Sequence, residues 1–128
     1  MNSWASNIRR IGNSGLALLF PRACDLCGGS VEEFNDGVCC ADCWKETELF
    51  DSSVSLCWKC GLPAGGHADP EQIRCRHCDD ELFTAARSLG HYAGALRASV
   101  LALKRQPEIS GRILDLMTEV ASAAPLKA

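Results

Sequence analysis

A small metal-stabilised α+β chain is the fold this sequence predicts: tandem four-cysteine zinc ribbons, then a short strand and two helices. Three observations predict it. Eight of the nine cysteines fall into four Cys-x-x-Cys pairs. Aromatic side chains make up only 6% of the 128 residues, which is thin for a self-sufficient core, so metal must supply cohesion that packing does not. After Cys78 cysteine disappears, and Ala and Leu take over. The remaining composition, 47% apolar and 23% charged, is globular rather than disordered. Thirteen Lys and Arg against sixteen Asp and Glu give a formal charge of −3, which excludes a strongly basic nucleic-acid-coating protein.

Residues 1–18 read as a lead-in helix or tail. Ile8, Ile11, Leu16 and Leu19 give an amphipathic pattern. Leu16-Ala17-Leu18-Leu19-Phe20, after Arg9 and Arg10, imitates a signal peptide, but the apolar run is short and Pro21-Arg22-Ala23 is a poor cleavage site. No segment approaches the roughly 18 apolar residues that a membrane span needs. The expected compartment is therefore the reducing cytoplasm, where structural disulfides are disfavoured.

Residues 19–80 carry the chemistry. The pairs are Cys24/Cys27, Cys40/Cys43, Cys57/Cys60 and Cys75/Cys78, separated by 12, 13 and 14 residues. One such pair is a redox candidate; four evenly spaced pairs are a metal-binding signal. Two thiolates three positions apart face one cation from a tight turn, and two turns complete a closed tetrahedral zinc site. Gly28 and Gly61 follow pairs one and three, where positive φ suits the turn. Those pairs read as the primary knuckles, and pairs two and four as their partners. Sequential assignment puts Cys24, Cys27, Cys40 and Cys43 on one zinc ion and Cys57, Cys60, Cys75 and Cys78 on a second. A cross-braced arrangement, pair one with three and two with four, is the alternative. Iron, held by the same knuckles in rubredoxin-like sites, is the alternative metal. Cys39 reads as a small buried apolar residue beside Val38, because only Cys40 keeps the two-residue gap to Cys43. Closed four-thiolate sites leave no open coordination position, so both zinc ions are structural and no catalytic residue is assigned. His67 and His77 read as exposed loop residues, and His91 as half-buried.

Between the ribbons, Trp44, Leu49, Phe50 and Val54 are candidate packing residues, with a turn at Asp51-Ser52-Ser53. In residues 81–128 a short strand is expected near 87–92. A helix is expected over 94–105, with Leu96, Val100 and Leu103 on one face, Lys104 and Arg105 in its last turn, and Pro107 as its stop. A second helix is expected over 108–123, with Ile109, Ile113, Leu116, Met117 and Val120 on one face. The apolar faces of these helices have no evident cover within the sequence.

The layout resembles the ComF family, the bacterial competence-associated phosphoribosyltransferase-like proteins. The residues that carry the resemblance are Leu19-Phe20-Pro21 before Cys24-Asp25-Leu26-Cys27-Gly28, then Val38-Cys39-Cys40-Ala41-Asp42-Cys43-Trp44. Cys57-Trp58-Lys59-Cys60-Gly61-Leu62-Pro63 and Cys75-Arg76-His77-Cys78 follow. Downstream come His91-Tyr92-Ala93-Gly94-Ala95-Leu96-Arg97 and Leu101-Ala102-Leu103-Lys104. The resemblance covers residues 19–122. It implies a double zinc ribbon followed by a type I phosphoribosyltransferase α/β domain, of which residues 81–128 are the N-terminal portion and the chain a truncated form. It also implies a role in DNA uptake or nucleotide-linked metabolism, with a competence-machinery protein or nucleic acid as partner. Phosphoribosyl pyrophosphate (PRPP) would be a ligand only of a full-length form. The family's PRPP loop, two acidic residues followed by Thr-Thr-Gly, is absent from these 128 residues. Asp79-Asp80 with Thr84 echoes it without the preceding apolar strand or the Thr-Gly. This chain alone is therefore expected to be non-catalytic.

Two competing readings stand beside it. One is a stand-alone zinc-ribbon module for nucleic acid or protein, with Arg74, Arg76 and His77 for phosphates and Trp44 or Trp58 for stacking. The other is a disulfide-bonded secreted domain, which needs an export signal and leaves one cysteine unpaired.

Overall fold

The computed structural model describes residues 22–65, 73–78, 80–123 and 125–126. The expected lead-in helix over 1–18, His67 and Asp79 lie outside them. The chain divides into two units. One comprises residues up to 48 together with 92–115; the other comprises 49–91 together with the residues from 116 on.

The first unit starts from a tight turn. Strands β1 (Arg22–Ala23) and β2 (Ser30–Val31) pair antiparallel, with Arg22 opposite Val31 and Ala23 opposite Ser30. Inside that hairpin the Cys24 N–H donates to the Gly29 carbonyl at 2.7 Å, and the Gly28 N–H donates to the Cys24 carbonyl at 2.9 Å. Gly28 sits at φ +73°, the left-handed conformation its position requires. The Asp25 N–H reaches the Val38 carbonyl at 2.9 Å and draws the second Cys pair alongside. Helix α1 (Ala41–Lys45) then begins directly after Cys40.

Helix α1 packs on helix α2 (Gly94–Arg105). One hydroxyl makes that junction. Thr47 Oγ1 donates to the Cys43 carbonyl at 2.7 Å and accepts the Ala95 N–H at 2.9 Å, so it satisfies one of the free donors of the first turn of α2. The buried core here is Val31, Cys39, Trp44, Ala95, Leu96 and Ala98. Trp44 is only 3% exposed, and its indole N–H donates to the Asp36 carbonyl at 3.0 Å. The Asp36 carboxylate is buried too. It accepts Arg112 Nε at 2.6 Å, and the Arg112 guanidinium lies 5.4 Å from the Trp44 ring centroid. Arg112 stands in the first turn of helix α3 (Gly111–Ala121), so this pair ties α3 to the ribbon.

The second unit repeats the turn. The Cys57 N–H donates to the Leu62 carbonyl at 2.8 Å, and the Gly61 N–H to the Cys57 carbonyl at 2.9 Å. Gly61 adopts φ +69°. Leu56 and Pro63 form an antiparallel bridge where the first ribbon has its two-residue strands. The Trp58 N–H donates to the Ile73 carbonyl at 2.7 Å, the counterpart of Asp25 and Val38. A short 3-10 turn, Arg76–Cys78, takes the place of α1.

Several expectations are corrected. The strand near 87–92 reduces to one bridge, Leu49 with Gly90, plus the bond from the Phe50 N–H to the Leu89 carbonyl at 2.9 Å. A lone pairing of this kind is too short to count as a strand. His91 is exposed rather than half-buried, although its ring meets Phe50 edge-on at 4.9 Å. Helix α2 matches its expected span, but its buried residues are Ala95, Leu96 and Ala98. Of the apolar face expected on this helix, Leu96 is buried, whereas Val100 and Leu103 are each 38% exposed. Ala95, Leu96 and Ala98 form the covered face, and Val100 and Leu103 are left outside it. The second helix starts at 111 rather than 108. Gln106, forced to extended backbone by the following Pro107, turns the chain, and Ser110 Oγ accepts the Ile113 N–H at 3.4 Å as a helix cap. No helix among the described residues is long and apolar enough to cross a membrane.

The buried Asp36 makes this junction testable. Arg112→Ala leaves its carboxylate without a cation and is expected to lower the stability of the zinc-loaded chain by about 2–3 kcal/mol. Urea unfolding reads the loss. Adding Asp36→Asn to that variant removes the stranded charge and is expected to restore part of it.

Candidate metal centres

Each centre is assembled from a hairpin turn and a second turn brought to it by backbone bonds. In the first, the sulfurs of Cys24, Cys27, Cys40 and Cys43 lie within 4.8 Å of one another. Cys24 and Cys43 are 3.7 Å apart, as are Cys27 and Cys40. In the second, Cys57, Cys60, Cys75 and Cys78 cluster in the same way. There the separations are 3.6 Å for Cys57 and Cys78, 3.4 Å for Cys60 and Cys75, and 3.5 Å for Cys75 and Cys78. A tetrahedron of zinc–sulfur bonds of about 2.3 Å has sulfur–sulfur edges of about 3.8 Å. Both donor sets fit that figure closely. The grouping is sequential, and the cross-braced alternative is not the one the chain adopts.

The electrostatics of the sulfurs favour a cation among them. Burial by itself would raise the Cys24 thiol. The backbone N–H groups of Cys27, Cys40 and Leu26 point at its sulfur and together hold it down at about 6. Cys57 is held at about 6 in the same manner, against its burial, by the N–H groups of Cys60, Cys75 and Lys59. The Cys40 N–H stands 3.3 Å from the Cys24 sulfur, and the Cys75 N–H 3.2 Å from the Cys57 sulfur. Their neighbours move the other way. Cys43 is pushed up chiefly by its hydrogen bond with the Cys40 sulfur, and Cys78 is pushed up to about 12 by burial and by the sulfurs of Cys75, Cys57 and Cys60. One thiolate in each cluster is stabilised by the backbone, and it then resists ionisation of the rest. A divalent cation at the centre removes that conflict.

The donor chemistry therefore fits two structural zinc ions, held by Cys24, Cys27, Cys40 and Cys43 and by Cys57, Cys60, Cys75 and Cys78. With four protein ligands, each ion is coordinatively closed and supplies folding energy rather than a reactive water.

The remaining candidates separate cleanly. Cys39 is fully buried outside the cluster, and burial raises its thiol to about 12. His77 is exposed within the turn of the fourth pair. Trp44 cannot stack on a base, because it is buried and its indole is engaged by Asp36.

Sequence reasoning missed Arg87. Its Nη1 donates to the carbonyls of Trp58 at 2.9 Å and Ala86 at 2.7 Å, with a longer bond to Cys57 at 3.4 Å. Its guanidinium lies 5.6 Å from the Trp58 ring centroid. Arg87 braces the turn that carries the second centre. No local pattern marks it, since the knuckle residues it bonds, Cys57 and Trp58, lie about thirty residues upstream. The first unit also holds a groove of about 370 Å³, lined in part by Phe34, Val100, Leu103 and Ile109.

A family model described as a double zinc ribbon domain matches residues 15–80, a little over half of the chain. No curated protein and no solved structure matches it.

Two measurements check the centres. Cys57→Ser is expected to lower the zinc content from two ions per chain to one, whereas Cys39→Ala keeps both; elemental analysis of the purified variants distinguishes them. The sign of the pH dependence follows from Cys24 and Cys57. Their thiols are depressed from 9.0 to about 6, so the stability they contribute is complete above pH 9 and is lost as pH falls through about 6. Bound zinc pushes that limit lower. Zinc is expected to stay bound at pH 7 and to be released only in acid well below pH 6, as read with a chromogenic chelator.

Proposed function

The chain belongs to the double zinc ribbon family, and from that premise we propose that its ribbons are the structural, non-catalytic part of a ComF-like phosphoribosyltransferase-family protein. The observation that carries this reading is the connection from metal site to helices. Thr47 links the ligand turn at Cys43 to the start of α2, and the Asp36–Arg112 pair links the same ribbon to α3. A ribbon built this way works as a foundation for the segment that follows it. That segment, 81–128, carries the ComF-like motifs from His91 to Arg97 and from Leu101 to Lys104. In this reading it is the start of a phosphoribosyltransferase-like domain. A cytoplasmic location and a part in competence, DNA uptake or nucleotide-linked metabolism belong to the same proposal.

A second reading is a stand-alone ribbon module that binds nucleic acid or protein. Exposed Arg74, Arg76 and His77 around the fourth pair favour it, as does Lys59, whose ammonium lies 5.6 Å from the Phe83 ring centroid. The charge opposes the nucleic-acid version. Each filled four-thiolate site adds two negative charges, which takes the formal charge from −3 to about −7.

Three results test the choice. Purified zinc-loaded chain is expected to release no pyrophosphate from PRPP; robust release overturns the non-catalytic role. It is expected to show no salt-dependent affinity for single-stranded DNA even at low salt; a steep dependence moves the assignment to the second reading. The coding sequence beyond the Ala128 codon is expected to encode an apolar strand followed by an acidic pair and Thr-Thr-Gly, and unrelated sequence there argues against the first.

A further inference from the structure

The two centres use the same donors and differ in cover. In the first, Cys24 is buried, Cys40 and Cys43 are half-buried, and Cys27 is exposed. In the second no ligand is exposed: Cys57 and Cys78 are buried, and Cys60 and Cys75 are half-buried. The knuckle glycines repeat the contrast. A Cβ at Gly28, next to Cys27, would meet nothing within 4 Å, whereas at Gly61, next to Cys60, it would meet the Ala86 carbonyl oxygen at 2.8 Å. The Arg87 guanidinium also bonds the carbonyls of Cys57 and Trp58, so the second knuckle has a positive charge held against it. With zinc in place all eight ligand sulfurs are thiolates. What then separates them toward an oxidant is access and intrinsic nucleophilicity, which a neighbouring cation lowers. Both single out Cys27.

We propose that the first centre is an oxidant-sensitive switch, in which a hydroperoxide oxidises Cys27, Cys40 closes a disulfide onto it, and one zinc ion leaves while the second centre stays loaded. The Cys27 thiolate attacks one peroxide oxygen: an S–O bond forms, the O–O bond breaks and hydroxide departs. The Cys40 sulfur lies 3.7 Å from that of Cys27. Its thiolate attacks the resulting sulfenic acid, forms the S–S bond and expels a second hydroxide. The two sulfurs give up two electrons, the peroxide accepts them, and two protons from solvent convert both hydroxides to water. Two ligands are then lost, too many for the ion to stay. Cys39 is fully buried and takes no part. The disulfide has a route to the helices. Cys40 immediately precedes α1, and the carbonyl of Cys43 holds the Thr47 hydroxyl that receives the Ala95 N–H of α2. The inference rests on the metal centres alone and is independent of the ComF-like reading.

Hydrogen peroxide added to the full zinc-loaded chain, with a chromogenic chelator present and a peroxide-free sample subtracted, tests it. One ion per chain is expected to be released about tenfold or more faster than the other. Peptide mapping of the chain quenched after the first release is expected to show a Cys27–Cys40 disulfide, with Cys57, Cys60, Cys75 and Cys78 still free thiols. Hydrogen exchange of that product is expected to quicken over residues 94–98, the first turns of α2. Arg87→Ala, once shown to load two ions, is expected to speed the second release and leave the first unchanged. Release of both ions at one rate overturns the proposal, as does release from the second centre first or no release at all. A first disulfide that contains Cys39, or unchanged exchange over 94–98, overturns it too. An unaltered second rate in Arg87→Ala shows that cover does not set the order, and the proposal falls with it.

Discussion

Four sulfurs held within van der Waals reach of one another cannot all carry negative charge unless a cation sits among them. That constraint governs the rest of this protein. The hairpin turn at Cys24 and its counterpart at Cys57 aim backbone N–H groups at one sulfur each, which favours the thiolate form there. The thiolate raises the cost of the next one. Zinc turns the repulsion into a tetrahedron, and the local backbone closes around it. Aromatics make up 6% of the chain, and among the described residues few large side chains are buried, so the ion carries cohesion that packing there does not supply.

The two ribbons use one hydrogen-bond skeleton and differ in what they attach to it. The first ends its second turn in a true helix, and through Thr47 and Asp36 it holds α2 and α3. The second ends in a 3-10 turn, and its knuckle is braced from behind by Arg87. Gly61 marks the same difference. A Cβ there would stand 2.8 Å from the Ala86 carbonyl oxygen, so the chain bearing Arg87 presses directly on the turn. Gly28 has the same positive φ with open space beside it. The first ribbon thus serves as a mount for the helices, whereas the second is clamped by its own downstream chain.

Much of this was legible in the residues. Cysteine spacing identified both ligand sets, because the two-residue gap is a property of the turn itself. Gly28 and Gly61 identified the primary knuckles, and the span from Gly94 to Pro107 located α2. The unreadable parts depend on partners distant in sequence. Periodicity placed Leu96, Val100 and Leu103 on one face of α2, but it could not show that Ala95 and Ala98 would form the covered side. Nothing local marks Arg87, whose bonds reach back to the knuckle, or Asp36, an ordinary loop acid until Arg112 neutralises it. The residues near 87–92 have strand-like composition. They lack a neighbour long enough to pair with, so a single bridge is all that forms.

The Thr47 hydroxyl couples the metal site to the helix that follows it. It bonds the carbonyl of the ligand Cys43 on one side and the first turn of α2 on the other. Helix α2 has twelve residues, close to the length at which an isolated helix is marginal in water. Its first turn is therefore anchored on a turn whose ligand Cys43 is shared with the metal site. The consequence reaches past the ribbon itself: whatever loosens the Cys43 turn also loosens the point at which α2 begins, so the metal site and the helix share one mechanical root.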